Sequence, residues 1–145
     1  MKAIVRGVSN SYEKALASFF GNGPTDLEEA KQQHLAYVLK LRELGLTVKE
    51  LDSHIDYPDC CFVEDHAIIA GDSALITNAG HDSRLGEKNA IVEALDGDLK
   101  LEFMNPGGRM DGGDVFQLGD KFLVGHSSRT NNQGIQNLKD FIEFR

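Results

Sequence analysis

The chain is poor in cysteine, in positive charge and in long apolar runs, and each shortage excludes a class of protein. Its only two cysteines, Cys60 and Cys61, are adjacent. A disulfide-stapled scaffold is therefore excluded, and two reduced thiols in a cytoplasmic protein are expected, with a vicinal disulfide as the rarer alternative. Fifteen Lys and Arg stand against 23 Asp and Glu, a formal charge of −8. That balance excludes a counterion-release grip on nucleic acid as the main business, and it suits a cationic small ligand. No apolar run approaches the ~18 residues of a membrane span, and the start at Met1–Arg6 has no long apolar core of a secretory signal. No partner among nucleic acids or membranes is expected. There is no Cys-x-x-Cys, no histidine pair at metal-binding helical spacing among the five histidines, no P-loop and no G-x-G-x-x-G. Neither a metal nor another cofactor is expected.

What is there reads as one α/β domain. A chain of 145 residues with 41% hydrophobic and 26% charged residues buries roughly 68–70% of its unfolded surface. Ala3–Val8 is a strand candidate. Thr25-Asp26-Leu27-Glu28 reads as a capping box with Thr25 as N-cap. Leu27, Ala30, His34, Val38, Leu41 and Leu44 follow at helical spacing, with Gly45 as the stop. Leu46–Leu51 is a second strand. Cys60–Ala70, Gly71-Asp72 and Ser73–Thr77 read as a β-hairpin. Ser83 is a plausible cap for a helix through Ile91, Val92 and Leu95, and Leu99–Phe103 is another strand.

The pattern then recurs. Asp114–Leu118, Gly119-Asp120 and Lys121–Gly125 form a second hairpin, and Asn131 or Asn132 caps a helix with Ile135, Leu138, Phe141 and Ile142 on one face. Acids stand at the start of each hairpin, and an arginine, Arg84 or Arg129, stands before each helix. This is an internal β-β-α-β repeat, with the first segment as a degenerate third copy. Repeats bury their apolar faces on neighbours, so by this logic a strand is expected after Ile142.

The acids are costly among apolar strand residues unless paired or functional. Asp59, Glu64 and Asp65 surround Cys60-Cys61-Phe62-Val63. On a strand, Glu64 and Asp65 point to opposite faces, Asp59 and Asp65 share one, and His66 turns away from Asp65. Asp111-Gly112-Gly113-Asp114 is either an ordinary turn or a place where another group approaches the backbone closely. Arg84 and Arg129 either form surface salt bridges or hold a carboxylate bidentately. Two arginines with several acids are the set that an amino acid with a cationic side chain requires. Cys60 and Cys61 read as inert thiols, and His34 as a core or helix-interface histidine.

Four blocks in order carry a resemblance: Glu29–Tyr37, Tyr57–Asp65, Leu75-Ile76-Thr77 with Ser83-Arg84, and Asp111–Val115 with Val124-Gly125 and Ser128–Asn131. Over essentially the whole chain it resembles dimethylarginine dimethylaminohydrolases, of the guanidine-modifying pentein superfamily that includes arginine deiminases and amidinotransferases. The resemblance implies a five-fold α/β propeller of ββαβ modules. About three of them would lie here, roughly at 1–57, 58–105 and 106–145, the last lacking its final strand. It implies hydrolysis of the guanidinium of a methylated arginine to citrulline and an amine. Asp59 would bind the α-ammonium, and Arg84 and Arg129 the α-carboxylate. Asp65, with Glu64 nearby, would bind the guanidinium, Phe62 would lie in the same substrate-binding block, and Asp111 would orient the catalytic histidine. Phe19, Phe20 and Gly21-Asn22-Gly23 would form a lid. Family members are longer, and their catalytic histidine and nucleophilic cysteine match no residue here. The expectation is the N-terminal, substrate-binding part of such an enzyme, inactive alone, with a homo-oligomer or a complementing C-terminal half to complete it. An arginine deiminase and a non-catalytic interaction module are the alternatives.

Overall fold

The computed structural model describes residues 1–16 and 26–144; the expected lid at 19–23 and the cap at Thr25 lie outside them. The chain divides into two units, Met1–Val63 and Glu64–Arg145.

In the first unit β1 (Lys2–Arg6) pairs in parallel with β2 (Thr47–Leu51), from Lys2 opposite Thr47 to Arg6 opposite Leu51. A parallel pair needs a crossover, and α1 (Leu27–Glu43) supplies it. Asp26 caps this helix by accepting the Glu29 N–H at 3.0 Å. At the other end Gly45 takes φ +82°, and Leu46 N–H reaches Leu41 O while Gly45 N–H reaches Arg42 O. These two bonds form the Schellman motif that a glycine after a helix permits. Val38 is buried, and Leu27, Ala30, His34 and Leu41 are half-buried, so the expected stripe faces inward. Leu44 departs from it and is exposed, because the helix has already ended there.

In the second unit β3 (Ala67–Ala70) pairs antiparallel with β4 (Ser73–Ile76), which pairs in parallel with β5 (Lys100–Phe103). Between β4 and β5 lies α2 (Lys88–Leu95), which buries Ile91, Ala94 and Leu95. The element pattern then repeats as β6 (Val115–Leu118), antiparallel to β7 (Lys121–Val124), and α3 (Asn132–Glu143). Both hairpin loops are Gly-Asp, and Gly71 and Gly119 share φ +61°. A glycine with positive φ at the first central position is what a two-residue II′ turn demands. The core of this unit joins Ile68, Leu75, Met104, Met110, Leu138 and Phe141.

Two expectations are corrected. Residues Val63–His66 form a 3₁₀ turn rather than the start of a strand, and β3 begins only at Ala67. The turn is held from β4's end: Thr77 Oγ1 donates to Asp65 O at 2.6 Å and Thr77 N–H to His66 O at 3.1 Å. Glu64, Asp65 and His66 therefore do not alternate across a sheet. Ser83 does not cap α2 either. It sits inside a short 3₁₀ turn, Asp82–Arg84, where its N–H is accepted by His81 Nδ1. Asn131 does cap α3, its side chain accepting the Gly134 N–H at 2.8 Å.

Candidate functional site

The first unit carries Asp59, which is buried; its carboxylate oxygens accept the Leu16 N–H at 3.0 and 3.3 Å. It sits in consecutive tight turns, Cys60 N–H to Tyr57 O and Phe62 N–H to Asp59 O. These turns replace the expected strand at 60–62. Cys60 and Cys61 are not joined in a disulfide, and the first is buried. Phe62 is partly exposed, 6.4 Å from the Tyr12 ring. Burial pushes the Tyr12 hydroxyl above its usual pKa, and the Cys61 and Asp59 charges add to this.

The second unit holds an ionic network that includes Arg84 and Asp65. Arg84 is buried. Its Nη1 donates to Asp65 Oδ2 at 2.5 Å, and its Nε and Nη2 both donate to Glu87 Oε2, at 3.1 and 2.9 Å. His66 Nε2 lies 2.8 Å from the same Glu87 oxygen, and both His66 and Glu87 are 1% exposed. The 3₁₀ turn at Val63–His66 brings Asp65 and His66 to the same guanidinium, although alternation would have separated them. Burial alone would push Glu87 up. The hydrogen bonds from His66 and Arg84 and their charges outweigh it and hold its carboxyl below the usual range. Burial would likewise push Arg84 down, but its bonds to Glu87 and Asp65 raise it above its ordinary value. Glu64 remains exposed, yet desolvation and the neighbouring Asp65 charge leave its pKa raised against the opposing pull of its backbone N–H and Arg84.

A second pair stands in the same unit. Arg129 Nη1 donates to Asp111 Oδ2 at 3.0 Å, and Gly80 N–H donates to Asp111 Oδ1 at 2.7 Å. Asp111 is buried and Arg129 half-buried. The Gly112-Gly113 turn links the two pairs. Gly113 N–H donates to Asp65 Oδ1 at 2.9 Å. A Cβ on Gly112 would stand 2.0 Å from Glu64 O. Neither glycine has a positive φ, so their role is close approach rather than backbone freedom. Asp114 serves the local loop, accepting the Ser127 and Thr130 hydroxyls at 2.7 and 2.6 Å.

The sequence reading did not single out Glu87, and it turned His66 away from Asp65. Only the i, i+3 spacing of Arg84 and Glu87 hinted at the pairing. Gly80 was also missed; a Cβ there would stand 2.4 Å from Arg129 Cα, so its backbone can approach Arg129 and Asp111 only without a side chain. Chemically the second unit offers acids already bonded to arginines, suited to charged or strongly hydrogen-bonding groups. Among the described residues, no group of three or more His, Cys, Asp or Glu could hold a metal ion, and no helix is long and apolar enough to cross a membrane.

A family model described as eukaryotic N,N dimethylarginine dimethylhydrolase matches residues 8–145. An N(G),N(G)-dimethylarginine dimethylaminohydrolase of Streptomyces coelicolor is 35% identical over 143 residues, covering 98% of this chain and 55% of that protein. The Pseudomonas aeruginosa protein of the same name is 32% identical over 123 residues, covering 83% of this chain and 48% of its own length. This chain thus spans about half the length of the curated relatives it matches. A structure of a Pseudomonas aeruginosa variant complexed with citrulline superposes with TM-score 0.94 at 32% identity, over 99% of this chain and 57% of that one. The N-terminal domain of ArgZ, an arginine dihydrolase from cyanobacteria, is 12% identical with TM-score 0.83, over 97% of this chain and 54% of that one, and shares the fold. With the α/β architecture in place, and with a family model matching nearly the whole sequence, the chain belongs to the dimethylarginine dimethylaminohydrolase family, a hydrolase family of the guanidine-modifying pentein fold.

Proposed function

We propose that this chain carries the substrate-binding side of a hydrolase that converts a methylated arginine to citrulline and an amine. The observation that carries the reading is the joining of two acid–arginine pairs, Asp65–Arg84 and Asp111–Arg129, by the Gly112-Gly113 turn. A citrulline complex and an adduct with S-methyl-L-thiocitrulline of structural relatives support it. An amino acid bearing a guanidinium presents one carboxylate and two cations, and arginine forks and carboxylates are the complementary groups. In this reading Asp59 takes the α-ammonium, and Arg84 and Arg129 serve the α-carboxylate. Asp65, with Glu64, faces the guanidinium, Phe62 belongs to the binding block, and Asp111 orients the catalytic histidine. The nucleophilic cysteine and that histidine are supplied from outside these residues, since Cys60 and Cys61 belong to the binding block. About three modules, at roughly 1–57, 58–105 and 106–145, belong to this reading; among the described residues the second has the full ββαβ order, the third lacks the final strand, and the first has one strand before its helix.

The test is calorimetric titration of the 145-residue protein with asymmetric dimethylarginine, with citrulline assayed on the same sample. Saturable binding without citrulline is expected. Absence of binding of both dimethylarginine and arginine would overturn the binding role. Citrulline release abolished by Asp65→Ala would overturn the placement of the nucleophile.

A further inference from the structure

The reaction proposed above begins with a cation, and the acid proposed to meet it, Asp65, is already bonded to a cation of the protein. An Asp–Arg pair by itself is neutral. A ligand guanidinium approaching such a pair meets a carboxylate whose charge is largely cancelled at short range. The buried network resolves this conflict. Glu87 takes the Nε edge and Nη2 of Arg84 through one oxygen, while Asp65 takes Nη1. One guanidinium thus lies between two carboxylates. Counted over Asp65, Arg84 and Glu87, two carboxylates against one guanidinium leave one excess negative charge.

Burial makes the arrangement consequential. Glu87, His66 and Arg84 are almost fully removed from solvent, whereas the Asp65 side chain keeps 13% of its surface exposed. The excess charge is therefore screened least around Glu87 and has its more open end at Asp65. His66 fixes the Glu87 carboxylate through its Nε2. Two further acids bear on the same region: Glu64, adjacent in sequence, and Asp111, reached through the Gly112-Gly113 turn. The second is already matched by Arg129.

We propose that Glu87, held by His66, is a positioning and charge-balancing residue: it offsets Arg84, so that Asp65 keeps a net negative charge for the ligand's guanidinium. This rests on the binding role proposed above and assigns a specificity determinant to a residue that touches no ligand. It favours a cationic guanidinium over the neutral urea group of citrulline, and so favours substrate over product.

The test uses two probes with the same amino-acid head group, asymmetric dimethylarginine and citrulline, titrated into the 145-residue protein and its variants. The readout is the ratio of the two affinities, from which head-group contacts and general loosening of the fold cancel. Glu87→Gln keeps the shape and is expected to lower the ratio about tenfold, equivalent to about 1.4 kcal/mol. Glu87→Asp, which retains the charge, is expected to restore most of it. Arg84→Gln shifts the charge the opposite way and is expected to raise the ratio even as both affinities fall; it serves where Glu87→Gln does not fold. Equal losses for both probes in Glu87→Gln, or a ratio that does not rise in Arg84→Gln, would overturn the charge-balancing role and leave the binding site standing. A wild-type protein that binds neither probe would overturn the binding site and the charge-balancing role with it.

Discussion

Replacing Gly112 by alanine tests the geometry that ties the two acid–arginine pairs together. The new methyl carbon would sit 2.0 Å from Glu64 O, 3.1 Å from Glu64 C and 3.4 Å from Asp65 Cα. A carbon and a carbonyl oxygen tolerate no closer than about 3.3 Å, so one backbone segment must retreat by more than about 1 Å. Both are backbone, and the Glu64 side is pinned by Thr77. Forcing atoms into a packed site costs about 1–3 kcal/mol. The same displacement breaks the Gly113 N–H bond to Asp65, a hydrogen bond to a charged group worth about 1.5–3 kcal/mol. With partial relaxation the expected loss is about 3 kcal/mol, or a fall in Tm of about 10 °C. The assay is thermal and urea unfolding of Gly112→Ala beside Gly125→Ala. At Gly125 the nearest atoms to a new Cβ, Asp114 O and Oδ1, are 3.7 Å away, an ordinary contact, and less than about 1 kcal/mol is expected. Equal unfolding midpoints for the two variants would refute the claim that close approach governs this turn.

Other outcomes follow from the same structure. Leu138→Ala removes a 1% exposed side chain from the second unit's core and should cost about 2–5 kcal/mol in urea unfolding. Asn131→Ala removes the cap of α3 together with bonds to Arg109 N–H and Gly107 O; a loss of at least about 1 kcal/mol is expected, and no change would show that the cap is idle. Glu87 is held below its usual pKa in the folded chain, so its stabilising contribution is present above the unfolded carboxylate pKa, near 4.5, and is lost as pH falls through the lower folded value. Unfolding of wild type and Glu87→Gln should therefore differ most near neutral pH and converge in acid. Glu64 has the opposite sign: its raised pKa means that stability is lost as pH rises above the ordinary glutamate range, and Glu64→Gln should flatten that fall.

Much of the architecture was legible because it rests on local chemistry. The Gly-Asp turns at 71–72 and 119–120 specify hairpins through a positive φ that glycine alone adopts cheaply. Gly45 ends α1, Asn131 starts α3, and the apolar spacing of Ile135, Leu138, Phe141 and Ile142 marks its inner face. The candidate acids and arginines were legible too, as charged residues set in otherwise apolar segments that also match one family's motifs.

Who pairs with whom was not legible. Periodicity made 60–66 a strand, and by that logic His66 faced away from Asp65. The decisive contacts come from residues distant in the chain: Thr77 bonding the backbone of the 63–66 turn, and Gly112 packing on Glu64. Those contacts hold the turn in which Asp65 and His66 both meet Arg84, and Arg84 and His66 in turn hold Glu87, which no motif marked. By itself the sequence determined the local elements, the turn glycines and the family, because backbone propensity and motif residues act over a few neighbours. Only the tertiary structure decided the charge network, because a buried carboxylate's partner is set by which distant segments exclude water around it.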